Sequence, residues 1–230
     1  MHSEPNAYSA RWHETFHRGY DPEQTIEEVE FLARVLPLGR VLDACCGYGR
    51  HVAGLAARGF EVVGLEREPE VVAEARGLGL DVRELDVRDI GEVEGLFDGA
   101  ICMWASFGFL DEAGNDRLLA GLAAKLRPGG RLVLDVHNRD FFLPRPGARE
   151  LVPGVTETKW VEGRRLRVHL DYGDGAADAF DWEIFTAGEL RVRSEAQGFV
   201  CDLACAGFDE STSPSAQIPR MQLVFHRADW

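Results

Sequence analysis

The amino-acid sequence predicts an α/β fold: a doubly wound, mostly parallel seven-stranded sheet carrying an antiparallel β insertion. Three observations predict it. Between residues 40 and 137, short β-branched apolar segments alternate with helical ones across short turns. The first strand runs into the glycine-rich bend of Val41-Leu-Asp-Ala-Cys-Cys-Gly-Tyr-Gly-Arg-His51. Beyond residue 150 the rhythm changes to period-two segments divided by glycine turns, the pattern of an antiparallel meander.

Taken in order, residues 1–38 form an N-terminal helical arm. Tyr8, Trp12, Phe16 and Tyr20 recur every four residues, an apolar stripe that packs on the body or closes over a site. Asp21-Pro22-Glu23-Gln24 is a helix start, with Asp as N-cap and Pro at the first helical position. Ile26, Val29, Leu32 and Leu36 give that helix its apolar face. Residues 39–150 make the ligand-binding α/β core. Its strands are expected at 40–44, 61–66, 81–85, 98–103 and 131–136. Its helices begin near His51, Pro69 and Asp111, with a short one over 90–96. Residues 151–186 form the insertion, with strands at 155–161, 164–172 and 179–185. In residues 187–230, the capping box Thr186-x-x-Glu189 opens a closing helix that ends at Gly198, and strands at 199–205 and 221–226 complete the sheet.

The 230 residues suffice for one full core. Against 25 Lys and Arg stand 39 Asp and Glu, a net charge of −14, so neither a nucleic-acid track nor an anionic membrane surface is expected as a partner. There is no run of 18 apolar residues, and the first residues lack the basic and apolar regions of a signal peptide. Five cysteines, an odd number with two adjacent at 45 and 46, fit a reduced, cytoplasmic protein better than a disulfide framework.

Two ligands compete for the glycine bend. A dinucleotide fingerprint wants Gly or Ala at its third position, where this chain has Val52, and it has no use for an acidic Asp43 beside a pyrophosphate. Asp43, Glu66 and Asp86 stand at the ends of three successive strands, about twenty residues apart as βαβ units require. Any one of them is as readily a turn former or a solvated charge. Three together suit a ligand with an amino group, a positive sulfur and a ribose. Glu66 would take the ribose hydroxyls, and Asp86 with Val87 an adenine. An NAD-dependent oxidoreductase is accordingly disfavoured.

At these residues the chain resembles the class I S-adenosylmethionine-dependent methyltransferases. The matching pieces are residues 41–50, Glu61-Val-Val-Gly-Leu-Glu66, Leu85-Asp-Val-Arg88, Phe97-Asp-Gly-Ala-Ile-Cys102 and Leu126-Arg-Pro-Gly-Gly-Arg-Leu-Val-Leu-Asp135. The segments Ser106-Phe-Gly-Phe109 and Asn138-Arg-Asp140 are similar to a small-molecule subgroup with a β-rich insertion. The resemblance implies S-adenosyl-L-methionine as cofactor, with its methionine end at Asp43, Ala44 and the Gly47–Gly49 backbone. It implies Glu66 on the ribose, Arg67, Asp86 and Val87 at the adenine, and Met103 and Trp104 near the sulfonium. Glu66 departs from the more common Asp.

Methyl transfer demands alignment and exclusion of water more than it demands a catalytic side chain. The catalytic candidates are His137 and Asn138, which follow the fifth strand at the ligand edge; a histidine there orients a loop as readily as it acts as a base. Tyr20 and Trp12 would cover the pocket, and Trp160 and Trp182 would line the acceptor site or a homodimer contact. A small-molecule acceptor is expected, because no Asn-Pro-Pro-aromatic or Pro-Cys motif for amide, nucleobase or pyrimidine targets follows strand four. A cofactor-binding module without catalysis is the competing reading. His13-Glu-Thr-Phe-His17 matches the H-E-x-x-H zinc motif, but it lies in a short arm with no third ligand motif downstream, so no metal is expected.

Overall fold

The computed structural model describes residues 9–16 and 21–228; Tyr8, His17 and Tyr20 lie outside them. Seven strands form the main sheet: β1 (Arg40–Ala44), β2 (Glu61–Glu66), β3 (Val82–Glu84), β4 (Phe97–Cys102), β5 (Leu126–His137), β10 (Phe199–Cys205) and β11 (Arg220–Arg227). Their order across the sheet is β10-β11-β5-β4-β1-β2-β3. β11 runs antiparallel to both of its neighbours, and the other pairings are parallel. Because β1 lies between β2 and β4, the chain leaves β1 in one direction and later returns on its other side. That switch point opens a crevice at the carboxyl edge, where open α/β sheets bind ligands.

Helices cover the sheet. They are α2 (Pro22–Val35), α3 (Arg50–Ala56), α4 (Pro69–Gly77), α5 (Glu112–Lys125) and α7 (Ala187–Glu195), preceded by the arm α1 (Ala10–Phe16) and joined by a single turn, α6 (Arg139–Phe142). The expected caps form: Asp21 accepts from the Glu23 N–H, Asp111 from Gly114, and Thr186 with Glu189 closes a complete capping box. The expected helix over 90–96 is instead a 3-10 turn at Val87–Glu92, capped by Asp86. On α2 the buried face is Glu28, Val29, Phe31, Leu32 and Val35, while Ile26 is 51 % exposed. The apolar stripe expected through Ile26 is therefore rotated, and a glutamate is buried in its place.

The insertion is a four-stranded antiparallel sheet, β6 (Gly147–Val152), β7 (Val155–Glu162), β8 (Arg165–Asp171) and β9 (Ala177–Glu183). β6 begins before residue 151 and was not anticipated. Most of its side chains are exposed, so no period-two pattern marks it. The two sheets are fastened at Gly108. The Glu183 N–H donates to the Gly108 carbonyl at 2.8 Å, and a Cβ on Gly108, at φ +108°, would sit 2.4 Å from the Glu183 oxygen. Glu183 is buried and accepts from Asn115 of α5 and Arg193 of α7. Among the described residues no helix is long and apolar enough to cross a membrane.

Replacing Thr186 by Ala removes the cap that starts α7. Chemical denaturation should show a loss of about 1 kcal/mol, with the midpoint shifted and the slope unchanged.

Candidate functional site

The bend after β1 is built from left-handed backbone: Cys45, Gly47 and Gly49 have φ of +65°, +55° and +77°. A Cβ at Gly49 would meet the Leu80 side chain at 2.6 Å, so that position takes no larger residue without displacing its neighbour. The bend turns its N–H groups toward the end of β2. There Glu66 is held by three backbone donors, Gly47 at 3.1 Å, Arg67 at 2.8 Å and Glu68 at 3.0 Å. Its carboxylate is thus aimed across the crevice before any ligand arrives.

Asp43 is the opposite case. It is 1 % exposed, and neither carboxylate oxygen has a hydrogen-bond partner among the described residues. Burial, opposed in part by the Arg50 charge and helped by the nearby Glu66, raises its pKa to about 8. A buried carboxyl group with nothing to bond to is an energetic liability, and in native proteins such groups occur where a ligand completes them.

A cleft of about 1080 Å³, counting its open mouth, runs from this bend along the strand ends. Glu66, Arg67, Asp86 and Val87 line one end, with Leu85, Leu110 and Leu118 supplying apolar wall. Asp86 also caps the 3-10 turn and holds Arg88 with both oxygens, at 2.9 and 2.7 Å, contacts that outweigh burial and leave its pKa below the ordinary value. A second chamber of about 980 Å³, again counting its open mouth, adjoins the first and shares Gly47, Tyr48, Ser106, Phe109 and Trp12 with it. Its walls include Met103, Trp104, His137, Phe180 and Trp182. Asp43 and Ala44 lie behind the wall, buried in the bend.

The structure brings together most of the residues singled out from sequence and sets two apart. Asn138 does not line the cleft. Its side chain caps α6 through the Asp140 N–H, and its amide donates to the carbonyls of Ser215 and Ile218 at 2.8 and 3.1 Å. It is a lock between β5 and the loop before β11, with no atom left for an acceptor. Trp160 is 42 % exposed on β7 and away from both chambers, whereas Trp182 lines the inner one. Tyr20 is outside the described residues, and the His13–His17 pair is only partly within them.

Sequence reading missed the polar network beneath Trp104. Glu28, fully buried, accepts from the Trp104 indole at 2.7 Å and binds His51, Arg50 and Arg220. Burial would raise its pKa, but the His51 hydrogen bond and the Arg50 charge prevail and bring it to about 2. The Trp104 backbone N–H donates to Asp135, which also holds Arg220 and Gln222. Arg50 and Arg220 each lie 4.7 Å from the Trp104 ring. Trp104 and Ala105, with φ of +58° and +56°, are held in a strained bend by these contacts. A signal was present: Glu28 precedes Phe31, Leu32 and Val35 at helical spacing, which puts an acid on the buried face.

Residues 41–130 match the family model described as a methyltransferase domain. Over that span the chain is similar to methyltransferase domains. Its curated relatives include a glycine/sarcosine N-methyltransferase of Halorhodospira halochloris, 35 % identical over 112 residues that cover 45 % of this chain and 42 % of that protein. Another is a ubiquinone biosynthesis O-methyltransferase of Xanthomonas axonopodis pv. citri (strain 306), 36 % identical over 115 residues, 46 % of this chain and 47 % of that one. The chain spans less than half the length of these relatives. Among solved structures, a methyltransferase from Streptomyces caelestis superposes with a TM-score of 0.79 at 17 % identity, covering 94 % of this chain and 95 % of that one. An amino pentose methyltransferase from Micromonospora echinaspora gives 0.72 at 23 % identity, covering 98 % and 100 %. At these identities the structural likeness extends the shared fold beyond the matched domain and across the insertion.

Two measurements follow from this geometry. An unfolded chain loses the Asp43 proton near pH 4 and the folded one near pH 8, so ionising it works against the fold as pH rises through that window. Without ligand, Asp43→Asn should match the wild type in stability near pH 4. It should exceed it at pH 8.5 by an amount on the order of a few kcal/mol, read from melting curves across pH. Asn138→Ala should cost about 1–3 kcal/mol, because three backbone groups lose a buried partner, and should leave cofactor affinity within about twofold of the wild type.

Proposed function

We propose that the protein is an S-adenosylmethionine-dependent methyltransferase acting on a small-molecule acceptor. The observation that carries this reading is the unpartnered Asp43 carboxyl buried in the bend that also presents Glu66, with an apolar chamber adjoining. A ligand with an ammonium, ribose hydroxyls and an adenine supplies what this set of residues is built to receive. The names of the curated relatives, which act through N- and O-methyltransfer on small molecules, support the same reading.

S-adenosylmethionine brings, when bound, a methyl carbon made electrophilic by the neighbouring sulfonium. The remaining work belongs to this chain. Asp43 and the Gly47 backbone would hold the amino-acid end and Glu66 the ribose, while Val87, Leu85 and Leu118 would enclose the base. Asp86 assists through Arg88 and the turn it caps. Met103 and Trp104 line the second chamber, where aromatic walls would exclude water and place the acceptor. Burial, with the Lys159 and Arg220 charges adding to it, lowers the His137 pKa to about 3 and keeps its ring uncharged at neutral pH. The two sides of the reaction would thus have separate walls that meet at Gly47, Tyr48, Ser106 and Phe109.

Calorimetry with S-adenosylhomocysteine tests this directly. Binding at pH 7 should release about one proton, since an ammonium beside Asp43 ionises a group that is mostly protonated beforehand. Titrations in buffers of different ionisation enthalpy would show it, and the release should fall away by pH 9. Asp43→Ala should weaken binding by at least about tenfold. No binding by the wild type, or equal binding by the variant, would overturn the reading.

A further inference from the structure

The segment after β4 doubles back in a tight turn. The Ser106 N–H donates to the Met103 carbonyl at 3.2 Å, and the two residues between them, Trp104 and Ala105, have φ of +58° and +56°. Positive φ at both central positions marks a type I′ turn, which ordinarily calls for glycine or asparagine. Here a tryptophan and an alanine adopt it under outside support. The Trp104 N–H donates to the Asp135 carboxylate at 2.9 Å, the Ala105 N–H to the Asp135 carbonyl at 2.9 Å and the Trp104 indole to Glu28 at 2.7 Å. Backbone strain that the surroundings over-determine clusters at sites where a side chain must be aimed. The side chain carried out of this turn is Ser106, which lines the cleft beside Glu66 and the inner chamber alike. It is half-buried, and its hydroxyl makes no hydrogen bond among the described residues. Nor is that oxygen sealed from the surface, as the Asp43 carboxylate, Nδ1 of His137 and the indole N–H of Trp182 are. An open, unpartnered hydroxyl thus stands where the two cavities meet.

We propose that the Ser106 hydroxyl is the polar contact at the reacting centre, where it accepts the N–H or O–H of the acceptor's attacking atom and turns that atom's lone pair toward the cofactor. The inference rests on the methyltransferase reading and adds to it a positioning residue and a restriction on the acceptor. A serine oxygen can accept two hydrogen bonds while it donates one. Among the described residues no aspartate or glutamate lines the inner chamber, so a hydrogen on the attacking atom meets a neutral oxygen there and not a carboxylate. Alignment of that atom is the larger part of what methyl transfer requires, and one directed hydrogen bond supplies it. Primary and secondary amines and alcohols carry the hydrogen this contact needs. A tertiary amine nitrogen or a carboxylate oxygen does not, and gains nothing from it as an attacking atom.

Calorimetry on the full chain with two cofactor analogues reads the contact without an acceptor. S-adenosylhomocysteine has nothing in place of the methyl group, whereas sinefungin carries an amine there and so brings N–H groups to the reacting centre. The charge of that amine also affects the wild-type affinities, so the quantity tested is the change in the ratio of the two dissociation constants when the hydroxyl is removed. Ser106→Ala should weaken sinefungin about tenfold and leave S-adenosylhomocysteine within about twofold of the wild type. Ser106→Thr keeps a hydroxyl and should retain most of the wild-type ratio; each variant is checked for an unchanged melting temperature. Should the alanine variant fail to fold, Ser106→Cys, similar in size but a much weaker acceptor, reads the same ratio. An unchanged ratio without the hydroxyl, an equal loss for both ligands, or a ratio lost as fully in Ser106→Thr as in Ser106→Ala would overturn the proposal. Any of these with S-adenosylhomocysteine still bound by the wild type removes the Ser106 assignment and leaves the cofactor reading in place. Absence of that binding overturns the reading itself, and this inference with it.

Discussion

The site depends on one carboxyl group that the fold buries and leaves unsatisfied. Asp43 sits near the end of β1, beneath a bend whose left-handed residues keep it out of water. Removing a carboxylate from water costs far more than one hydrogen bond returns, so the free protein meets the cost by keeping the proton. The adjoining Glu66 is handled differently: three backbone N–H groups hold it. Two acids beside the same bend are therefore met differently, one by backbone donors and one by its own proton.

A second constraint holds the other wall. The segment after β4 bends back through two non-glycine residues at positive φ, a conformation that would relax without outside support. Glu28, Asp135, Arg50, Arg220 and His51 supply that support from four separate parts of the chain. The network is dense because its two carboxylates, Glu28 and Asp135, are fully buried and must be answered. Its consequence is a fixed Trp104 on the wall of the aromatic chamber. The insertion sheet closes that chamber, and Gly108 lets its backbone come near enough to do so.

Much of this could be read directly from residue order. The alternation of strands and helices, the caps at Asp21, Asp111 and Thr186, and the acids at three strand ends are local patterns, and local patterns survive without coordinates. The strand β6 did not show itself because a ribbon exposed on both faces has no hydrophobic period. Ile26 is exposed and Glu28 buried because a glutamate with four partners can be buried where an isolated one cannot. Asn138 looked available because it follows a strand at the ligand edge, and only the neighbouring loop shows that its amide is already used.

By itself, then, the sequence determined the order of elements, the bend at Gly47 and Gly49, and the kind of ligand that three strand-end acids would suit. The tertiary structure decided which of those acids is left without a partner, which histidine and tryptophan face one chamber, and which tryptophan faces away. The reason is physical. Propensity, capping and periodicity act over a few neighbouring residues, whereas hydrogen-bond satisfaction of a buried group is settled by segments far apart in the chain, such as Asn138 with Ser215 and Glu28 with Arg220.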